Sequence, residues 1–140
     1  MPHKVYLGLG SNLGDREAHI RQAIRLIGER AGAVVRQSSL METEPWGFQS
    51  DHRFLNAVVC CHTELSPRQL LTVTQQIECD MGRKKKSQAS SLQSPVYHDR
   101  PIDIDILLYD ALTINEPDLK IPHPLMQERD FVMKPLKEIS

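Results

Sequence analysis

Apolar and acidic residues alternate strictly through Ile102-Asp103-Ile104-Asp105-Ile106, a period of two that predicts a β-strand. The isoleucines then face a core, and Asp103 and Asp105 share the other face. Val5 to Leu9 is short, apolar and bounded by glycine, which predicts a buried strand. Ile20, Ala23, Ile24 and Ile27 recur at helical spacing after Asp15, so a helix capped by Asp15 runs to about Arg30, its end marked by Gly28 and Gly32. Ala33 to Met41 reads as a second strand, and Phe54 to His62 as a third. Ser66-Pro67-Arg68-Gln69 opens a second helix, with Ser66 as N-cap, Pro67 at the first helical position and Gln69 completing a capping box. Leu70, Val73, Ile77 and Met81 form its buried stripe, and Gly82 closes it.

Beyond Tyr109 the signals shorten. A short strand fits Leu112 to Ile114, Ile121-Pro122-His123-Pro124 is extended by its prolines, one or two helical turns fit Leu125 to Phe131, and Pro135 to Ser140 reads as a helix fragment. The ordered elements thus read β-α-β-β-α-β. That order fits a ferredoxin-like α+β sandwich, a mostly antiparallel sheet with helices packed on one face and long active-site loops.

Composition narrows the class. A chain of 140 residues is most economically one domain, 1–140. A net charge of −1 argues against a dedicated nucleic-acid binder. No apolar run approaches a membrane span, and Met1-Pro2-His3-Lys4 leads into a strand without a signal-like apolar segment, so a cytoplasmic location is expected. Cys60, Cys61 and Cys79 are odd in number and lack metal-ligand spacing, which predicts free thiols.

The candidate chemistry gathers around Asp103 and Asp105. Carboxylates two apart on a strand lie roughly 6.5–7 Å apart along it. They repel unless a cation lies between them, and Mg²⁺ favours carboxylate oxygens together with substrate phosphates. Arg83-Lys84-Lys85-Lys86 begins a Ser/Gln-rich segment, Ser87 to Ser94, expected to be a mobile loop that ends at Pro95-Val96-Tyr97-His98-Asp99; it suits a lid over polyphosphate, a solvated charge run or nonspecific nucleic-acid contact. Gly8, Gly10 and Gly14 suggest a phosphate loop or, better, a tight strand-to-helix turn. Trp46, in the loop from Thr43 to His52, lines a pocket or covers an apolar edge. Asn56 is an amide in an apolar strand that needs partners, either in a neighbouring loop or in a polar heterocycle. Gln75 and Glu78 sit three apart on the second helix, with a solvated pair the plainer reading.

Several blocks in order carry a family resemblance: Gly10-Ser11-Asn12-Leu13-Gly14, Thr43-Glu44-Pro45-Trp46-Gly47, Phe54-Leu55-Asn56-Ala57, Gln75-Gln76-Ile77-Glu78 with Gly82-Arg83, Asp99 to Leu107, and Ile121-Pro122-His123-Pro124 with Arg129 and Phe131. The chain resembles the 6-hydroxymethyl-7,8-dihydropterin pyrophosphokinases, folate-pathway enzymes that move pyrophosphate from ATP to a pterin alcohol. The resemblance implies that Asp103 and Asp105 hold two Mg²⁺ ions on the ATP phosphates, with Arg83 and Arg100 on the polyphosphate. It implies an ATP site completed by Gln75, Glu78, Tyr97, Ile106, His123 and Arg129. It implies a pterin stacked between Phe54 and Phe131, hydrogen-bonded by Asn56 and bordered by Thr43, Pro45 and Trp46. The partners expected are these small molecules alone, with a monomeric protein. The chain departs from the family pattern in a longer 83–100 segment, in Tyr97 where a Trp often stands, in Trp46 where a smaller aliphatic is common, and in ending at Ser140.

Two other readings compete. A metal-dependent nucleotidyltransferase also combines Gly-Ser with an acidic pair, but places them close together rather than some ninety residues apart; it would release pyrophosphate instead of AMP. A non-catalytic ferredoxin-like ligand- or RNA-binding module leaves Asp103, Asp105, His123, Arg129 and Phe131 without a role.

Overall fold

A computed structural model describes residues 2–12, 14–43, 54–82, 101–124, 126 and 130–139, with positions 43, 130 and 131 described for their backbone. In chain order the elements are β1 (His3–Ser11), α1 (Arg16–Arg30), β2 (Gly32–Gln37), β3 (Met41–Thr43), β4 (Phe54–Thr63), α2 (Pro67–Asp80), β5 (Asp103–Tyr109), β6 (Ile114–Glu116), β7 (Leu119–Ile121) and α3 (Asp130–Ile139). The main sheet runs β2-β4-β1-β5, and β3 also pairs with β4. All these pairings are antiparallel. Counting β2 and β3 as one interrupted edge strand, this is the ferredoxin-like order expected.

The interruption has a local cause. β2 follows β4 from Gly32 opposite Thr63 to Gln37 opposite Val59, with a register shift between Val34 and Arg36. Ser38 then donates its N–H to the Val58 carbonyl at 2.9 Å, while its Oγ accepts the Val58 N–H at 2.9 Å. The side chain thereby takes over one ladder bond, and β3 resumes pairing at Met41 opposite Asn56. The single strand expected over 33–41 is therefore two.

Both helix caps form as read. The Asp15 side chain accepts the Ala18 N–H at 3.1 Å. Ser66 and Gln69 exchange the two bonds of a capping box, at 3.2 and 2.9 Å. Gly82 adopts φ 106°, the left-handed exit that favours glycine. Gly28, by contrast, lies inside α1, and Gly32 opens β2.

One face of the sheet is covered by α1 and α2. Val5, Leu7 and Leu9 of β1, Ala57, Val59 and Cys61 of β4, and Ile104 and Ile106 of β5 pack there with Ile20, Ala23, Ile27, Leu70 and Ile77. The expected stripe of α2 is only partly right: Thr74 and Glu78 are buried, while Val73 and Met81 lie at the margin. The opposite face carries a second cluster, in which Val132, Leu136 and Ile139 of α3 meet Tyr6, Val58, Cys60 and Leu107. The fragment expected over 135–140 is thus part of a ten-residue helix with Pro135 inside it. Glu138 fastens that helix to the β2–β3 interruption by accepting the Ser39 N–H at 2.5 Å and the Ser39 hydroxyl at 2.7 Å. These bonds hold its carboxyl below the usual value.

A β-bulge lets β5 serve both faces. Leu7 pairs with Ile106 but Tyr6 pairs with Leu108, so Leu107 is an extra residue in the ladder. Leu107 and Leu108 both turn toward the α3 cluster, and Tyr109 returns to the α1/α2 core. The Tyr109 hydroxyl donates to the Leu65 carbonyl at 2.6 Å. Past Tyr109, β6 and β7 form a hairpin where only one short strand was expected. Arg68 ties α2 to this hairpin through Glu116 and Asp118.

Candidate active site

The α3 side of the sheet is only partly covered by helix, and the remainder carries the polar residues. Registers place Asn56 of β4, Gly10 of β1 and Asp103 of β5 in one row across the sheet. Val58, Gly8 and Asp105 form the adjacent row. Paired residues on neighbouring strands project to the same face. Asp103 and Asp105 therefore stand side by side over a strand whose two facing positions bear no side chain.

Both aspartates are half-buried, whereas Ile102, Ile104 and Ile106 between and around them are buried on the far side, as the alternation requires. Among the described residues no group of three or more His, Cys, Asp or Glu side chains is arranged to hold a metal ion. Two hard oxygen donors on an open strand face suit Mg²⁺, which takes most of its remaining ligands from water and substrate phosphates. The donor set fits the ions that the sequence led us to expect.

Asn56 is 4% exposed. Its Nδ2 donates to the Met41 carbonyl at 3.2 Å, which fastens β3 at the start of the 43–52 loop. The same amide presents its Oδ1 toward Gly10, and the half-buried Phe54 ring lies beside that glycine. The amide nitrogen is thus tied to the neighbouring strand β3, its cross-strand partner, rather than to a loop.

Glu78 is not part of a solvated pair. It is 4% exposed, and its Oε2 accepts the Ile104 N–H at 2.7 Å. Gln75 is exposed on the same helix. Ile106, expected beside ATP, buries its side chain in the α1/α2 core, so only its backbone is available to a nucleotide. The half-buried His123 donates its N–H to the carbonyl of the bulge residue Leu107 at 3.1 Å, which brings it to β5 beyond the acidic pair. Phe131 belongs to the first turn of α3, and Thr43 ends β3. Pro45, Trp46, Arg83, Tyr97, Arg100 and Arg129, together with the expected basic lid, lie outside the described residues.

The sequence reading missed the glycines' role. Gly8 and Gly10 belong to β1, which continues to Ser11, rather than to a turn or phosphate loop. Their spacing carried the signal: two residues apart, they share the face opposite Val5, Leu7 and Leu9.

The strand order defines a ferredoxin-like α+β protein, and comparison with known proteins supplies the family. Residues 6–140 match the family described as 7,8-dihydro-6-hydroxymethylpterin-pyrophosphokinase (HPPK). A Porphyromonas gingivalis relative named 2-amino-4-hydroxy-6-hydroxymethyldihydropteridine pyrophosphokinase is 49% identical over 137 residues, covering 97% of this chain and 90% of its own. A Bacillus subtilis relative of the same name is 41% identical over 140 residues, covering 99% of this chain and 79% of its own. The crystal structure of a Plasmodium falciparum HPPK-DHPS triple mutant superposes with a TM-score of 0.75 at 18% identity, over 99% of this chain and 40% of that one, and so shares the fold. The chain belongs to the 7,8-dihydro-6-hydroxymethylpterin-pyrophosphokinase family.

Proposed function

We propose that the chain transfers pyrophosphate from ATP to 6-hydroxymethyl-7,8-dihydropterin, in folate biosynthesis, with the two substrates meeting above β1. The observation that carries this reading is the row Asn56–Gly10–Asp103, in which a polar amide and a carboxylate flank a glycine. Family membership supplies the reaction, and this row supports a division of labour within it. Asp103 and Asp105 hold two Mg²⁺ ions against the phosphates of ATP. Asn56 and Phe54 hold the pterin, with Phe131 on its other face and Thr43, Pro45 and Trp46 at its border.

In the reaction the pterin's hydroxymethyl oxygen attacks the β-phosphorus, the bond from that phosphorus to the AMP oxygen breaks, and one proton is released overall. Bound Mg²⁺ neutralises charge on the phosphates. The chain's own part is to orient the two substrates and to surround the transferred group with donors, which accounts for most of the acceleration in phosphoryl transfers. Arg83, Arg100, His123 and Arg129 supply cationic or hydrogen-bonding groups to the polyphosphate, and Gln75, Glu78, Tyr97 and the Ile106 backbone border the nucleotide. The expected setting is cytoplasmic and the expected state monomeric.

The decisive assay is nucleotide chromatography after incubation with ATP, Mg²⁺ and the pterin. AMP formed only when the pterin is present supports the reading. Pyrophosphate release in place of AMP would instead favour a nucleotidyltransferase, and no pterin-dependent turnover would leave only a binding module.

A further inference from the structure

We infer that Gly10 determines specificity for the substrate's exocyclic arm: its missing side chain is the clearance across which the hydroxymethyl group passes from the pterin site to the metal-held phosphate. This rests on the division of substrates proposed above.

Gly10 has no conformational need to be glycine. Its backbone lies in a regular antiparallel pairing, and the positive-φ glycines among the described residues are Gly14 and Gly82. A glycine inside a strand costs conformational entropy and packs nothing, so it usually marks a bulge or a close approach by something else. Gly8 has such a neighbour, because the bulge residue Leu107 crosses it, with side-chain atoms 3.4 Å from where a Cβ would stand. At Gly10 the close neighbours come from β4 rather than from β5. A Cβ there would meet the Asn56 Oδ1 at 3.2 Å and the Phe54 ring at 3.4 and 3.8 Å, the two groups assigned to the pterin.

The distances suit the arm. Neighbouring strands lie about 4.8 Å apart, so the backbones of Asn56 and Asp103 are separated by roughly 10 Å with only Gly10 between them. A flat heterocycle held by Asn56 and Phe54 therefore projects a short substituent over Gly10 toward Asp103. A methyl group at this position would push against the amide and ring that hold the heterocycle, and would occupy the path of the arm. It would leave the nucleotide side, beyond Asp103, untouched.

The test combines Gly10→Ala with a substrate series. Calorimetry in the presence of a nonhydrolysable ATP analogue and Mg²⁺ should show at least a tenfold loss of affinity for 6-hydroxymethyl-7,8-dihydropterin in Gly10→Ala. Affinity for the ATP analogue alone should change less than twofold. A folded variant with unchanged pterin affinity and turnover, or one that loses both ligands equally, would overturn the inference. Wild-type protein gives a second measure that needs no variant. A pterin branched at the arm carbon should bind at least tenfold more weakly than the hydroxymethyl compound, and equal binding would overturn the inference. Asn56→Ala separates the two levels of argument. If it leaves pterin affinity unchanged, the site reading fails and takes this inference with it; if it weakens pterin while Gly10→Ala does not, only the inference fails.

Discussion

Glu78 and Ile104, 26 residues apart, are joined by a hydrogen bond of 2.7 Å from the Ile104 backbone N–H to the Glu78 carboxylate. Among the described residues β5 is an edge strand, with no further strand paired to its outer backbone groups. A carboxylate from α2 occupies that edge at the residue between Asp103 and Asp105. The bond is buried, with Glu78 only 4% exposed, so its loss would leave a backbone donor without its partner. It acts on the backbone between Asp103 and Asp105, the aspartates proposed to hold Mg²⁺, without touching either side chain.

Glu78→Ala should therefore lose roughly 1–3 kcal/mol of stability, the cost of a buried group deprived of its partner. It should also raise the Mg²⁺ concentration needed for half-maximal turnover. Glu78→Gln keeps an acceptor oxygen and should recover much of both. Urea unfolding and a Mg²⁺ titration of AMP formation read the two effects. A Glu78→Ala protein matching wild type in both would show that the bond does not hold the strand in place.

Asp103→Ala and Asp105→Ala should abolish turnover while leaving the thermal transition near that of wild type. Both side chains are half-buried on the face of β5 opposite the α1/α2 core, so their loss removes no packing from that core. Near-normal turnover by either variant at saturating Mg²⁺ would contradict the metal assignment.

Asn56→Ala should weaken pterin binding by roughly 1–3 kcal/mol while ATP-analogue binding changes little. It should also lower stability, because the bond to the Met41 carbonyl is lost along with it. Calorimetry with each ligand tests the division, and equal losses for the two would refute it.

Two glycines near the end of α1 should respond to alanine in opposite directions. Gly28 is exposed inside the helix, and a Cβ there meets nothing within 4 Å, so Gly28→Ala should stabilise by up to about 1 kcal/mol. At Gly32 a Cβ would collide with the His62 carbonyl of β4, with its oxygen 2.1 Å away. Gly32→Ala should cost about 1–3 kcal/mol, as overpacking typically does. Denaturant midpoints decide both.

Cys61 makes stability fall in alkaline solution. Burial, and secondarily its neighbour Cys60, push its thiol up to about 11 from an ordinary 9.0. Between these values the unfolded chain has released the proton that the folded protein still holds, so stability declines as pH rises from about 9 toward 11. Below 9 both states keep the proton, and Cys61 adds no slope. Unfolding free energies of wild type and Cys61→Ala compared at pH 8 and 10 should show the steeper decline in wild type, and parallel declines would exclude this cause.

Much of the local structure was legible because it depends on near neighbours. The alternation at Ile102 to Ile106, the Asp15 cap and the Ser66–Gln69 box are written within a few residues and formed as read. The family blocks made the acidic pair and Asn56 candidates at once. α3 was harder to see because Pro135 interrupts its helical signal, while the apolar face that stabilises it packs on Tyr6, Val58 and Cys60 far away in sequence.

What the amino-acid order determined by itself, then, was the period of each element, its caps and the chemical types available for a site. Tertiary structure alone decided which residues became neighbours. The strand order put Gly10 between Asn56 and Asp103, and the bulge at Leu107 turned one strand toward two different cores. The outer edge of β5, unpaired among the described residues, received the Glu78 carboxylate. Each of these depends on registers between segments tens of residues apart, set by the packing of whole faces rather than by any local preference.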